Sequence, residues 1–190
     1  APHAVLVAMP PGLDALADPD FFFIERGSAG EIQQTIVQLV KDRLPARYGF
    51  DPLTDIQVLC PMNRQLLGTR AFNELLQEAL NPPGELKFEV DRFEKTFRTG
   101  DKVMQLRNNY DKDVFNGDIG RITALSTEDR KLSVVFDGRA VAYDFSDLDE
   151  IVHAYAVSVH KAQGSEYPAV IFPVLSFFFN DTATTEIYTA

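Results

Sequence analysis

A chain of 190 residues, 45% hydrophobic and 24% charged, has the composition of one globular domain with room for a small second one, and it fits no disordered or disulfide-stapled class. Its single cysteine, Cys60, excludes an internal disulfide, and its apolar runs are far shorter than the ~20 residues a membrane helix needs, so the chain is read as cytoplasmic, without a membrane partner. The formal net charge of −10 excludes a surface that grips phosphates everywhere, though not one basic groove on an acidic body.

Residues 1–20 contain Pro2, Pro10, Pro11, Gly12 and Pro19 with no sustained period and read as an irregular lead-in. A strand is expected over 21–25. Ser28-Ala29-Gly30-Glu31 then forms a capping-box pattern, opening a helix whose Ile32, Ile36, Leu39, Val40 and Leu44 share one apolar face. Pro45 and the turn Gly49-Phe50-Asp51-Pro52 are expected to end it. An apolar strand over 56–60 and a helix over about 68–80 make the next unit, so strand and helix alternate as in an α/β sheet. Asn81-Pro82-Pro83-Gly84 breaks that pattern. Over 86–148 the chain changes to short alternating segments separated by Asn-Gly, Glu-Asp and Asp-Gly turns, a small β unit inserted between two α/β stretches. Residues 151–159 and 169–175 return to long apolar strands. The last stretch, 176–190, fits neither period and resembles the peptide produced when sequencing-adaptor DNA is translated, so it is set aside as an artefact.

Chemistry concentrates at 154–166, A-Y-A-V-S-V-H-K-A-Q-G-S-E, where an apolar strand runs into Ser158, His160, Lys161, Gln163, Ser165 and Glu166. At the carboxyl end of a strand in an open α/β sheet such a loop lines the ligand crevice, and Gly164 lets the backbone approach a phosphate. The plain alternative is a solvated turn. A second candidate lies between Arg92 and Lys112, where Arg92, Lys95, Arg98, Lys102, Arg107 and Lys112 outnumber Glu94, Asp101 and Asp111. It reads as a basic groove or as a solvated charged hairpin.

The run S-x-H-K-x-Q-G-x-E followed by Tyr167 resembles motif V of the RecD-like branch of superfamily-one helicases, with Ser158 and Ala162 in place of the usual Thr and Ser. Residues 56–67 are similar to motif IV. Residues 97–122, with G-D-K-V-M and N-G-D-I-G, resemble the SH3-like barrel inserted in the second motor domain, a pattern shared with Pif1-like helicases. The resemblance covers roughly 20–175. It implies an α/β fold: a RecA-like second motor domain of P-loop NTPase type, a parallel sheet with flanking helices, into which a small SH3-like β-barrel is inserted. The implied organisation is lead-in 1–20, motor domain 21–82, barrel 83–150, completing strands 151–175 and tail 176–190.

By the same resemblance, Ser158 and His160 lie near the DNA backbone; Lys161 and, in the insertion, Lys102, Arg107, Asn108 and Asn116 are further DNA-binding candidates, Lys102 and Arg107 as part of the basic groove. Gln163, Gly164 and Glu166 face a nucleotide, and Arg64 is either a nucleotide contact or a surface arginine at the start of a helix. The chain has no G-x-x-x-x-G-K-[ST] loop. Asp149-Glu150 follows no apolar strand, and the Asp111, Asp113, Asp118 cluster lacks a metal-loop spacing. What the resemblance implies is therefore the carboxy-terminal part of an ATP-dependent DNA helicase moving 5′ to 3′ on single-stranded DNA. ATP and Mg2+ would be used by the intact protein and not bound by this piece alone, and the partners would be single-stranded DNA and the missing N-terminal motor domain. The rival readings are a non-catalytic nucleic-acid-binding module and the helicase half of a mobilisation relaxase.

Overall fold

A computed structural model describes residues 3–8, 21–85 and 87–174. They form a mixed five-stranded sheet with helices, an antiparallel five-stranded sheet, and a hairpin. The first sheet has the order β11-β3-β12-β1-β2, with β1 His3–Ala8, β2 Phe21–Arg26, β3 Ile56–Cys60, β11 Ala156–Ser158 and β12 Ala169–Val174. Here β11 and β12 flank β3 in parallel, while β1 runs antiparallel to both β12 and β2. The expected irregular lead-in is thus corrected: Pro2 and Pro10 bracket the run H-A-V-L-V-A without interrupting it, and a short apolar run between prolines is a permissible strand.

Helix α1 (Ala29–Gln38) starts as its sequence requires. Ser28 Oγ accepts from Glu31 N at 3.3 Å and Glu31 returns a carboxylate to Gly27 N at 2.8 Å. The helix does not stop at Pro45. A π turn, Leu39–Arg43, leads into α2 (Leu44–Tyr48), and the widened turn upstream takes up the proline that an unbroken α-helix would exclude. Helix α3 (Thr69–Leu80) packs with α1 on the first sheet, where Ile32, Ile36, Ile56, Phe72, Leu76 and Ile171 are almost fully excluded from water. Each such side chain contributes roughly 1.5–3 kcal/mol.

The second sheet has the order β10-β6-β7-β8-β9, with β6 Lys102–Gln105, β7 Ile119–Ser126, β8 Lys131–Phe136, β9 Arg139–Asp144 and β10 Ile151–His153. It surrounds its own core of Phe97, Val103, Ile122, Leu132, Phe136, Tyr143 and Leu148. Gly120 explains the second glycine of N-G-D-I-G: a Cβ there would meet Phe136, Val134 and the Val135 carbonyl at 2.7 Å. Among the described residues β9 and β10 are not joined, so the insertion is an open SH3-like sheet and not a closed barrel. The hairpin of β4 (Glu89–Arg92) and β5 (Lys95–Arg98) lies along α3, with Thr96 O accepting from Gln77 and Arg98 paired to Glu78.

The expected single strand over 151–159 is also corrected. β10 runs antiparallel to β6 in the second sheet, and β11 runs parallel to β3 in the first. The chain changes sheets at Ala154 and Tyr155, whose carbonyls both accept from the buried Gln57 amide at 3.1 and 3.2 Å. Both halves are equally apolar, so apolarity alone does not reveal the break. The tail set aside at 176–190 lies outside the described residues.

Candidate nucleic-acid interface

The strands β3 and β11 are parallel neighbours, so the turns after them emerge at the same edge of the sheet. Between those turns, the start of α3 and the second sheet lies a groove of about 450 Å³. Asn63, Thr69 and Asn73 line one side of it, Met104, Leu106 and Val152 another, and Ser158, His160 and Lys161 the mouth.

The turn after β11 is organised by Ser158. Its carbonyl accepts from Lys161 N at 2.9 Å and Ala162 N at 3.1 Å, and its hydroxyl oxygen accepts from Lys161 N at 3.3 Å. A hydroxyl residue at this position therefore shapes the turn and still has its proton to donate to a ligand. Ala162 is buried against Met104, Ala154 and Val157, so the methyl that replaces the usual serine fills an apolar seat. Gly164 has φ +88°, a left-handed conformation that side chains rarely adopt, and space around it is open. Gln163 and Glu166 are exposed, and among the described residues their side chains have no hydrogen-bond partner. His160 and Arg64 are likewise exposed and unpartnered among the described residues.

Three of the expected DNA-binding residues are brought together. Lys161 Nζ donates to Asn116 Oδ1 at 2.6 Å, and Asn116 N donates to Asn108 Oδ1 at 2.9 Å, which ties the turn after β11 to the insertion. Two others are engaged within the chain. Lys102 is buried, with Nζ on the Ile56 carbonyl at 3.3 Å, and cannot meet a phosphate in this conformation. Burial drives its pKa down to about 8 against the opposing pull of Asp51 and Asp55. Arg107 forms an ion pair with Asp149. Two more cations of the basic stretch are internally matched: Arg98 pairs with Glu89 at 2.5 Å, and Lys112 faces Asp147 and Glu150 at 3.3 and 3.8 Å, while Arg92 lies over the Phe145 ring. Half of the six cations in a stripe that is basic in sequence are thus paired with carboxylates.

Sequence reading missed a buried polar joint behind the groove. Asn73 and Gln77 on α3 and Asn81 at its C-cap repeat at four-residue spacing. Asn73 clamps the Ala156 backbone, donating to its carbonyl at 2.8 Å and accepting from its N–H at 3.0 Å. Gln77, Asn81 and Tyr155 donate to the fully buried Asp101 carboxylate at 2.8, 2.7 and 2.9 Å, and Arg98 N does so at 2.7 Å. His153 Nε2 lies 3.2 Å from the same carboxylate. Burial pushes this carboxyl up, but the hydrogen bonds from His153, Asn81 and Arg98 N outweigh it and hold the pKa below the ordinary value. Three amides at four-residue spacing were the available signal.

The fold and this groove define a class: an α/β domain with polar turns at the ends of parallel strands and an SH3-like sheet inserted beside them. Two family models match the chain, the ATP-dependent RecD-like DNA helicase SH3 domain over residues 72–136 and the UvrD-like helicase C-terminal domain over residues 153–190. The ATP-dependent RecD2 DNA helicase of Deinococcus radiodurans is 39% identical over 116 residues, 61% of this chain and 16% of that protein. The conjugal transfer protein TraA of Rhizobium radiobacter is 26% identical over 123 residues, 62% of this chain and 11% of that protein. A crystal structure of Bacteroides Pif1 bound to ssDNA aligns with TM-score 0.43 and 19% identity, over 71% of this chain and 37% of that one. Helicase domain models thus match residues 72–136 and 153–190, and the chain spans under a fifth of the length of these two curated relatives.

Proposed function

We propose that the chain is the second motor portion of an ATP-dependent DNA helicase that moves 5′ to 3′ on single-stranded DNA. The observation that carries the reading is the Lys161–Asn116 bridge, which joins the turn after β11 to the inserted sheet on the rim of one groove. In this reading Ser158, His160 and Lys161 hold the nucleic-acid backbone, and the amides of Asn108 and Asn116 extend that contact. Lys102 is withdrawn from the set because it is buried.

Gln163, Gly164 and Glu166, with Arg64 on the neighbouring turn, supply an amide, an open backbone, a carboxylate and a cation. This donor set fits one wall of a nucleotide site, while the phosphate-cradling loop and the metal carboxylate belong to the N-terminal motor domain. ATP with Mg2+, when bound between the two, supplies the free energy of hydrolysis. The residues of this chain orient and sense the nucleotide from a turn whose other end touches DNA.

The test is unwinding by the intact protein on duplexes with a 5′ or a 3′ single-stranded tail, alongside ATPase assays of the 190-residue chain. Unwinding from the 5′ tail and no DNA-stimulated hydrolysis by the chain alone are expected. Hydrolysis by the isolated chain contradicts the reading. The similarity to a conjugal transfer protein favours one second reading, the helicase half of a mobilisation relaxase, for which a nuclease domain encoded upstream is decisive.

A further inference from the structure

We propose that Tyr110 and Phe115 form a base-stacking platform for single-stranded nucleic acid, on a loop tied to Lys161 of the groove by the Asn116 amide. The inference rests on the reading that this groove carries a nucleic-acid backbone. Both rings stand on the excursion between β6 and β7, and that loop is pinned. Asn109 and Val114 exchange backbone hydrogen bonds at 2.8 and 3.1 Å, Lys112 N donates to Asn109 Oδ1 at 3.1 Å, and Phe115 N donates to Asp118 Oδ2 at 2.8 Å.

Despite this anchoring the rings stay in water: Tyr110 is 77% and Phe115 41% exposed, with centroids 6.0 Å apart at an interplanar angle of 77°. Val114 between them is fully buried. The loop therefore had an apolar seat to fill, filled it with valine, and left two larger aromatics outside. Phe115 immediately precedes Asn116, whose amide oxygen holds Lys161 of the groove, so the loop that carries the rings is tied to the groove.

Charge selects the occupant. Arg107, Lys112 and Arg139 around this loop are paired with Asp149, Asp147 and Asp113, so little of the affinity at this edge can come from neutralising phosphates. A ligand held here must be bound through flat apolar faces, with a backbone that can follow the amides of Asn108 and Asn116. The unstacked bases of a single strand have that chemistry, whereas a duplex keeps its base faces covered. Fixing the rings in advance lowers the ordering cost of binding.

The test is fluorescence anisotropy of the 190-residue chain with labelled oligothymidylate of about 12 nucleotides, within the range of a single-strand platform, and with an abasic strand of equal phosphate number. The expected result is tighter binding of the base-bearing strand by about tenfold or more, as one stacked base provides. Tyr110→Ala with Phe115→Ala should bring that ratio near one, and Tyr110→Phe with Phe115→Tyr should retain it. Because both rings are exposed, unchanged circular dichroism should accompany each variant. Equal affinity for the two strands, or a preference that survives the double alanine variant, overturns the platform and leaves the proposed function standing. Binding to neither strand overturns both. Self-association that the double variant abolishes, with no change in the strand ratio, assigns the rings to a contact between copies and also overturns the platform.

Discussion

An ammonium group taken out of water costs several kcal/mol unless it is paired, and Lys102 has a carbonyl at 3.3 Å and the Tyr167 ring at 6.0 Å for company. Its pKa falls from 10.5 in the unfolded chain to about 8 in the folded one. Below pH 8 both states hold the proton and the cost is fully present. Between pH 8 and 10.5 the unfolded state binds more protons, so stability rises with pH across that window. Lys102→Met should therefore stabilise the chain by about 2–3 kcal/mol at neutral pH, a gain that fades toward pH 10.5. Urea unfolding of both proteins at the two pH values checks this, and an equal gain at both would mean that the ammonium is not responsible. The expectation that Lys102 touches DNA came from its place in the basic stretch between Arg92 and Lys112. All four residues of β6 are buried, because one face covers the core of the insertion and the other packs over the end of β11. Residue-level burial on a strand covered from both sides is not encoded in its alternation.

At the scale of elements, α3 and Asp101 hold the place where the chain passes from one sheet to the other. Asn73→Ala removes both hydrogen bonds to Ala156 and should cost about 2 kcal/mol, with faster amide exchange confined to Ala156–Ser158. Asp101→Ala leaves the buried donors of Gln77, Asn81 and Tyr155 without an acceptor and should cost about 3–5 kcal/mol. Because the folded carboxyl lies below its ordinary value of 3.8, its stabilisation is complete above that pH and is lost as pH falls through the depressed value. Acid unfolding should accordingly shift to higher pH in Asp101→Asn. Exchange that accelerates evenly across both sheets in Asn73→Ala would contradict a local clamp. The capping box at Ser28 and the α3 helix were legible because their signals are local. The strand exchange at Ala154 was not, since two different sheets demand the same residue types from adjacent segments.

For the whole molecule, the two-part architecture was readable from the change of pattern near Asn81, and the groove from the polar run after Val157. The run from Ser158 to Glu166 shows itself because polar groups follow an apolar strand with no helical period to explain them. The pairing of the basic stretch with Asp147, Asp149 and Glu150 could not be read, because it depends on contacts across more than thirty residues. Its consequence is measurable: the affinity of the chain for single strands should fall with salt by a log–log slope well short of the value expected if every cation of the stretch met a phosphate, at about −0.7 per contact. A slope near the full value would show that the carboxylate pairs open on binding.

The central claim is that one short turn holds DNA at one end and senses nucleotide at the other. In the intact helicase, ATPase rate, single-strand affinity and unwinding measured together for Gln163→Ala, His160→Ala and the double variant test it most directly. The account predicts that Gln163→Ala disconnects ATP turnover from unwinding while DNA affinity holds, that His160→Ala weakens DNA binding first, and that the two effects are non-additive. Equal and additive losses in all three assays would contradict it and leave the turn with a purely structural role.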